Sequence, residues 1–200
     1  MHKTAVDQRR ASQTVFAFLF CSLDGYHEGT AGELDWSLND AEFHDWNLRQ
    51  SDEIGALLLG RRTFEHFAEF WTSDLAAESM PGIAAFMNAV PKTVVTQGSA
   101  TPPWTGTTIV DGRNLSADVT RLRAITTGDV AVFGSSELTV SLLEQGLIDE
   151  LRILVHPVLL GRGKSLYAGL DQHIELTAGP TTVFRSGNVL LRYEPVPLRQ

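Results

Sequence analysis

The sequence predicts an α/β fold in three layers, with a mainly parallel central sheet and an antiparallel edge at its C-terminal end. Short apolar segments alternate with amphipathic ones from residue 15 to residue 155, which is typical of a parallel sheet covered on both faces. After residue 155 the apolar segments continue without helical periodicity, which indicates antiparallel strands at the edge. No internal repeat or linker divides the chain, so a single domain is expected.

In the first half of the chain, apolar runs predict the strands and polar caps predict the helices. The run Val15–Cys21 predicts a buried strand, and a loop rich in Gly, Asp and Glu follows over 22–38. Ser37 or Asn39 caps a helix over 40–50. The other elements of this half are a strand at 56–60, a helix at 63–70, an irregular stretch at 71–83 and a short helix at 83–89.

The second half repeats this alternation and then ends in strands. A helix over 115–126 places four apolar residues on one face, namely Leu115, Val119, Leu122 and Ile125. A helix over 136–145 is closed by Gly146 in a helix-stop position. The strands are predicted at 92–96, 107–110, 129–133 and 149–155, with a terminal pair at 181–184 and 190–193.

Composition limits the classes of partner. The chain has 200 residues, and we expect one domain over 14–194 between a flexible segment 1–13 and a tail 195–200. The net charge of −8 argues against nucleic acid as a partner. The polar N-terminus does not resemble a signal peptide, and no apolar run has the length of a membrane span. A cytoplasmic protein without a membrane partner is therefore expected. Cys21 is the only cysteine, which excludes an internal disulfide, and no residue spacing indicates a metal site.

One turn is suited to phosphate binding. The strand over 129–133 runs into Gly134, Ser135 and Ser136, where the next helix begins. The N-terminus of a helix offers backbone N–H groups and a positive dipole end to an anion. An ordinary strand-to-helix connection has the same pattern. Taken by itself, this turn does not decide between phosphate binding and that structural alternative.

A second turn has similar chemistry and adds two arginines. The apolar run before Gly60 is followed by Arg61 and Arg62, and a helix begins near Thr63. Ligands of open α/β sheets bind beyond the carboxyl ends of the strands, and a guanidinium group suits a phosphate ester. The alternative is that both arginines are solvated or pair with Glu65 and Glu69. We favour phosphate binding for Arg61 and not for Arg62.

Several segments together resemble a known superfamily. They are Ser22–Gly25, Leu59–Glu65, the Gly134 turn, and Gly146–Arg152 followed by Pro157–Gly161. In this order they resemble the dihydrofolate-reductase-like superfamily over roughly residues 14–194. The most similar branch consists of stand-alone relatives of the C-terminal reductase domain of the bifunctional riboflavin-biosynthesis enzyme.

The resemblance implies an oxidoreductase that uses NADPH to transfer a hydride to a small-molecule substrate. It implies that Arg61 meets the 2′-phosphate of the cofactor and that Thr96 lies near the adenosine phosphate. The cofactor-binding residues carried over are Gly60, Arg61, Thr63, Thr96, Gly134, Ser135 and Ser136. A non-catalytic nucleotide-binding protein on the same fold, or a purely structural module, is the alternative.

The resemblance also implies a carboxylate early in the first helix, shortly after a tryptophan. Trp36 is followed by Asp40, Glu42 and Asp45, and spacing does not single one out. We choose Asp40 as the catalytic candidate. The alternative for each acid is that negative charge simply stabilises the N-terminus of the helix.

The substrate is expected to be small and heterocyclic. Relatives that reduce 5-amino-6-(5-phosphoribosylamino)uracil carry an acidic and proline-containing segment after the arginine turn, whereas Thr63–Trp71 is helical and aromatic here. Six aromatic residues are candidates for lining a pocket for a flat ring, with core packing as the alternative: Trp36, Phe64, Phe67, Phe70, Trp71 and Trp104.

A homodimer is expected from one apolar run and from the resemblance. The run Ile153–Leu160 is longer than one buried strand requires, and related reductases are often dimers. A buried strand followed by a packed loop is the alternative.

Overall fold

The computed structural model describes residues 13–98, 103–133 and 136–197, and the predicted fold class is confirmed. Six helices and eleven strands lie within these residues. The strands are β1 (Val15–Ser22), β2 (Tyr26–Glu28), β3 (Ile54–Gly60), β4 (Lys92–Val95), β5 (Thr107–Val110), β6 (Asp129–Phe133), β7 (Glu150–His156), β8 (Lys164–Ser165), β9 (Leu176–Ala178), β10 (Thr182–Val183) and β11 (Val189–Pro195). The helices are α1 (Ala41–Ser51), α2 (Arg61–Trp71), α3 (Asp74–Ser79), α4 (Pro81–Ala89), α5 (Leu115–Ile125) and α6 (Ser136–Glu144).

Nine of the strands form one mixed sheet. Its order is β10-β11-β7-β1-β6-β3-β4-β5, and β9 pairs with β11 beside this path. Every pair from β7 to β5 is parallel, whereas β11 pairs antiparallel with β7, β9 and β10. The antiparallel C-terminal edge is therefore also confirmed. The strands β2 and β8 form a separate two-stranded ribbon.

The alternation of side chains along β1 explains the three layers, because successive residues of a strand point to opposite faces. Ala17 and Leu19 pack in a cluster with Leu122 of α5 and Leu142 of α6. Phe16 and Phe18 belong to the cluster on the other face, which α1, α2 and α4 cover. Both clusters are almost fully excluded from solvent, so the sheet is buried on both faces.

Several parts of the chain differ from the sequence prediction, among them the unpredicted strands β8 and β9. The predicted loop 22–38 contains β2, a strand of three residues that pairs with the distant β8. The predicted irregular stretch 71–83 contains α3, which Ser73 caps through its hydroxyl, and the beginning of α4. Ile125 was placed on the apolar face of α5 but is 73% exposed, because it is the last residue of that helix.

The predicted boundaries of the domain, at residues 14 and 194, stay predictions. Residues 1–12 and 198–200 lie outside the described residues. At the C-terminal end β11 runs to Pro195, one residue into the predicted tail. Within the described ranges, no helix is long and apolar enough to cross a bilayer.

Candidate functional site

Two adjoining cavities lie at the edge where the parallel strands of the sheet end. One has a volume of about 540 Å³ and includes Arg61, Thr96, Ser136 and Lys164 in its wall; we call it the arginine cavity. The other has a volume of about 500 Å³ and is lined mainly by apolar side chains; we call it the aromatic cavity. Their position matches the rule that open α/β sheets bind ligands beyond the carboxyl ends of their strands.

The arginine cavity is built from residues that directly follow three strands. β3 ends at Gly60, which is the N-cap of α2 and makes no side-chain cap hydrogen bond. Thr96 follows β4, and its Oγ1 accepts a hydrogen bond of 3.0 Å from the backbone N–H of Gly98. Ser136 begins α6 beyond β6 and is 2% exposed. The uncapped start of α2 leaves backbone donors next to the arginine side chains, a combination that suits an anion.

Each of three cations around this cavity faces a carboxylate. Nη1 of Arg61 donates to both carboxylate oxygens of Glu65, at 2.9 and 3.0 Å. Nη2 of Arg62 lies 3.8 Å from Oε2 of Glu28. Nζ of Lys164 donates to Glu137 at 2.6 Å, and this contact lowers the pKa of the Glu137 carboxyl. An anionic ligand therefore has to share these cations with acids of the chain, which is easiest where the pair is exposed, as it is for Arg61.

A buried histidine stands where the two cavities meet. Nε2 of His27 lies 3.0 Å from Oγ of Ser136, which links β2 to the start of α6. Burial lowers the pKa of His27, because an imidazolium ion would lose its hydration there. His27, Glu28, Arg62 and Thr63 line both cavities. The cavities consequently form one elongated site with a shared wall.

The aromatic cavity has an apolar body and a few polar groups. Phe67 and Trp71 of α2 line it, which agrees with the expectation for those two residues, whereas Phe64 and Trp104 are buried in the core. Its polar residues include Asn47 and Ser51, which lie one turn apart on α1. The other rings in its wall are Phe18, Phe20, Phe86 and Phe133.

Asp40, the candidate catalytic acid, lies at the N-terminus of α1. Its carboxylate accepts hydrogen bonds from the backbone N–H groups of Phe43 at 2.8 Å and Ser186 at 2.9 Å. The bond from Phe43 is the main reason that the pKa of this carboxyl lies below its usual range. Glu42 is similarly engaged, since its Oε2 accepts from the N–H of Arg185. Asp40 is absent from the described lining of either cavity, and the geometry favours the capping alternative for it.

The sequence located one cavity better than the other. Gly60, Arg61, Thr63, Thr96 and Ser136 all line the arginine cavity. Gly134 and Ser135 lie outside the described residues. The lining residues that sequence reasoning did not single out include His27, Asn47, Ser51 and Lys164. His27 and Lys164 belong to the unpredicted ribbon of β2 and β8. Asn47 lies inside the predicted helix and Ser51 directly after it, and neither position gives a signal that it faces a cavity. Among the described residues, no group of three potential ligands for a metal ion occurs.

The layers and the strand order of the sheet define an α/β domain with the dihydrofolate-reductase-like fold. The chain belongs to the family described as the RibD C-terminal domain, which it matches over residues 13–190. It is 30% identical over 177 residues to a Bacillus subtilis (strain 168) protein, YyaP, described as uncharacterised. That alignment covers 88% of this chain and 91% of the relative.

Two solved structures share the fold. A Shewanella sp. PV-4 protein, provisionally described as a riboflavin biosynthesis protein, superposes with a TM-score of 0.71 at 22% identity, covering 92% of this chain and 100% of the other. Dihydrofolate reductase from Enterococcus faecalis, in complex with NADP(H) and a second ligand, gives a TM-score of 0.59 at 17% identity and covers 91% and 96% of the two chains. At these identities the similarity establishes the fold of this chain.

Proposed function

We propose that this chain is an NADPH-dependent reductase that transfers a hydride to a small heterocyclic compound bound beside the cofactor. The observation that supports the proposal most strongly is the shared wall of the two cavities, formed by His27, Glu28, Arg62 and Thr63. A dinucleotide is long and carries its phosphates and its reactive ring at different points. An anion-binding cavity that adjoins an apolar one suits such a ligand and places a substrate at its reactive end.

The residues of the arginine cavity fit the phosphate-bearing half of the cofactor. Hydrogen-bond donors come from the uncapped N–H groups at the start of α2 and from the guanidinium group of Arg61. The hydroxyl groups of Thr63 and Thr96 add to them, and none of these donors needs a metal ion. Ser136 adds a hydroxyl group that His27 orients. The bound cofactor supplies the hydride, and the role of the protein is to orient it and to exclude water.

The proton that accompanies the hydride is proposed to come from water. Asp40 was the sequence candidate, but both of its carboxylate oxygens accept backbone hydrogen bonds and its pKa is lowered, so it is ionised at neutral pH. Burial lowers the pKa of His27, which favours the neutral imidazole, and its ring orients the hydroxyl group of Ser136. An ordered water in the aromatic cavity, next to Asn47 and Ser51, is the simplest donor that this arrangement leaves.

Absorbance at 340 nm tests catalysis directly. Purified protein is mixed with NADPH and a panel of flat heterocyclic and carbonyl acceptors, and oxidation of the cofactor is followed. We expect enzyme-dependent oxidation with at least one acceptor. The second candidate, a nucleotide-binding protein without catalysis, is favoured by the position of Asp40 outside both cavities. Binding of NADPH without oxidation by any acceptor supports that candidate and contradicts the reductase.

A further inference from the structure

The helix α1 places an amide in the wall of the aromatic cavity. Asn47 and Ser51 both line that cavity and stand one helical turn apart. Within the described part of the chain, no other residue of α1 lines it. The polar chemistry that this helix offers a ligand is therefore an amide and a hydroxyl group, neither of which carries charge.

A buried arginine fixes which end of the Asn47 amide is available. Nη1 of Arg152 donates to the side-chain oxygen of Gln50 at 2.9 Å, and Arg152 is only 3% exposed. Because a guanidinium group can only donate, the atom of Gln50 facing it must be the oxygen. The nitrogen of Gln50 then donates to Oδ1 of Asn47, at 3.2 Å. Asn47 consequently has its Nδ2 left, which donates to no other described residue.

Two carboxylates and a ring hold Arg152 in this orientation. Glu150 accepts from its Nε at 3.2 Å, and Glu53 lies 3.5 Å away. The guanidinium carbon lies 3.8 Å from the centroid of the Phe16 ring. Arg152 is therefore a rigid and permanently charged donor at one end of the hydrogen-bonded series Arg152–Gln50–Asn47. It sets the direction of both hydrogen bonds in that series.

Ser51 complements this donor. Its hydroxyl group donates to the carbonyl oxygen of Leu48 at 2.6 Å, as serines in helices often do. Its proton is thereby used, and the lone pairs of Oγ remain to accept a hydrogen bond. α1 thus offers the aromatic cavity one donor at Asn47 and one acceptor at Ser51.

The charged residues around the cavity are already paired with one another. Glu65 is bound to Arg61, and Arg62 faces Glu28. A protonated amidine ring would have to share a carboxylate with Arg61 or Arg62, and a phosphoribosyl group would have to share Arg62 with Glu28. An uncharged ligand that binds Asn47 and Ser51 needs no such sharing.

We propose that the aromatic cavity takes an uncharged ring amide, and that Asn47 selects it by donating to its carbonyl oxygen. Gln50 and Arg152 are positioning residues that hold Asn47 as a donor. A ring amide presents a carbonyl acceptor beside an N–H donor, which matches Asn47 and Ser51, and its flat body matches the aromatic wall. This inference deepens the proposed reductase function and rests on it for the reaction, although the binding step is measured separately.

Two bicyclic probes of similar size test the proposal by calorimetry. 2-Quinolinone is a neutral ring amide, and 2,4-diaminoquinazoline at pH 6 carries a protonated amidine. We expect wild-type protein to bind the first in preference to the second. Asn47→Asp replaces the donor by a carboxylate of nearly the same shape, so the preference should reverse, with about tenfold loss for 2-quinolinone, the effect of one lost hydrogen bond. Gln145→Glu, which adds the same charge just after α6 and outside both cavities, should change neither affinity.

A second variant tests the positioning role. Gln50→Glu keeps an acceptor for Arg152 but removes the N–H that fixes Asn47. The preference for 2-quinolinone over 2,4-diaminoquinazoline should decrease, while the melting temperature stays close to that of wild-type protein. The proposal is overturned if wild-type protein prefers the diaminoquinazoline, if it does not bind 2-quinolinone, or if Asn47→Asp leaves the ratio unchanged. A separate titration with NADPH reports on the cofactor site, so failure of the reductase proposal is distinguishable from failure of this one.

Discussion

Arg61 is the residue on which cofactor choice depends in this account. It lines the arginine cavity beside Thr96 and Gly98, and its exposed ion pair with Glu65 is weak enough to be shared with a ligand. A hydrogen bond to a charged group contributes about 1.5–3 kcal/mol, which corresponds to about a tenfold to hundredfold change in affinity.

We therefore expect Arg61→Ala to weaken NADPH binding by that factor and to leave NADH binding almost unchanged, since only NADPH has the 2′-phosphate. Calorimetric titration measures both. Arg121→Ala is the matched control, because Arg121 is an exposed arginine of α5 that forms a comparable pair with Asp118. Equal losses for both cofactors in Arg61→Ala would remove Arg61 from the 2′-phosphate role.

Lys92 gives a residue-scale prediction about stability. It is 1% exposed, donates to the carbonyl groups of Val90 and Thr105, and lies against the Trp104 ring. Burial lowers its pKa from 10.5 to about 8. Below pH 8 the amine is charged in both the folded and the unfolded chain, and folding carries the full cost of burying that charge. Between about pH 8 and 10.5 the folded chain has lost the proton that the unfolded chain still holds, so this cost diminishes.

The melting temperature of wild-type protein relative to Lys92→Met should accordingly rise from pH 8 to pH 10. Taking the difference between the two proteins cancels the effects of other groups that titrate in this range, such as Cys21. A difference that stays constant with pH would show that Lys92 keeps its ordinary pKa in the folded chain.

At the scale of elements, the residue spacing predicted the principal strands and helices because each is a local pattern. The apolar runs of β1, β3 and β6 end next to polar or glycine residues, and the sequence alone shows this. β2 and β8 could not be found in the same way, since they have three and two residues and pair across more than 130 positions. His27 and Lys164 belong to these two strands, and so that side of the site was missed with them.

The aromatic cavity shows a different limit of sequence reasoning. Asn47 and Ser51 lie inside a helix that was predicted almost to the residue. Which side of that helix faces the cavity depends on how α1 packs against the sheet, and the apolar residues of α1 are too few to define a clear face. The resemblance suggested Asp40, because it implies a catalytic carboxylate early in the first helix. Acids are also favoured at this position as helix caps, and the sequence does not distinguish the two roles.

The segment before α1 is fastened to the sheet by a histidine, which leads to a prediction about acid. Nε2 of His156, at the end of β7, lies 3.4 Å from Oδ1 of Asn39, and its ring contacts Trp36. Burial lowers the pKa of His156 below its usual value of 6.5. As the pH falls below 6.5, the unfolded chain gains a proton that the folded chain does not take up, so stability is lost.

We expect His156→Gln to reduce this loss. The free energy of unfolding in urea, measured at pH 7.5 and pH 5, should fall less in the variant than in wild-type protein. His44→Gln on the half-buried part of α1 serves as the control for a histidine replaced outside this contact. Equal pH dependence in wild-type protein and His156→Gln would mean that His156 titrates normally.

At the scale of the whole molecule, the assembly is the open expectation. The apolar run Ile153–Leu160 begins inside β7, which lies between β1 and β11, so the sheet itself buries the first half of the run. The second half is a loop in which Leu159 is 68% exposed, next to the equally exposed Leu23. Leu159 is therefore the residue of the run that the fold of one chain leaves most exposed, and Leu23 extends the exposed apolar surface beside it.

We expect a homodimer in solution, with Leu159 in its interface. Light scattering after size exclusion should give twice the chain mass of 21.9 kDa, and Leu159→Glu should shift the protein toward the monomer. Leu75→Glu, at an exposed leucine of α3, is the matched control. A monomeric wild-type protein would contradict the expectation.

The central proposal is that the two adjoining cavities form one site for NADPH and its substrate. Calorimetric titration of the wild-type protein with NADPH, and separately with NADH, tests it most directly. The account predicts one NADPH bound per chain, with micromolar affinity and clear preference over NADH. Absence of binding by both cofactors would contradict the account and leave only the fold.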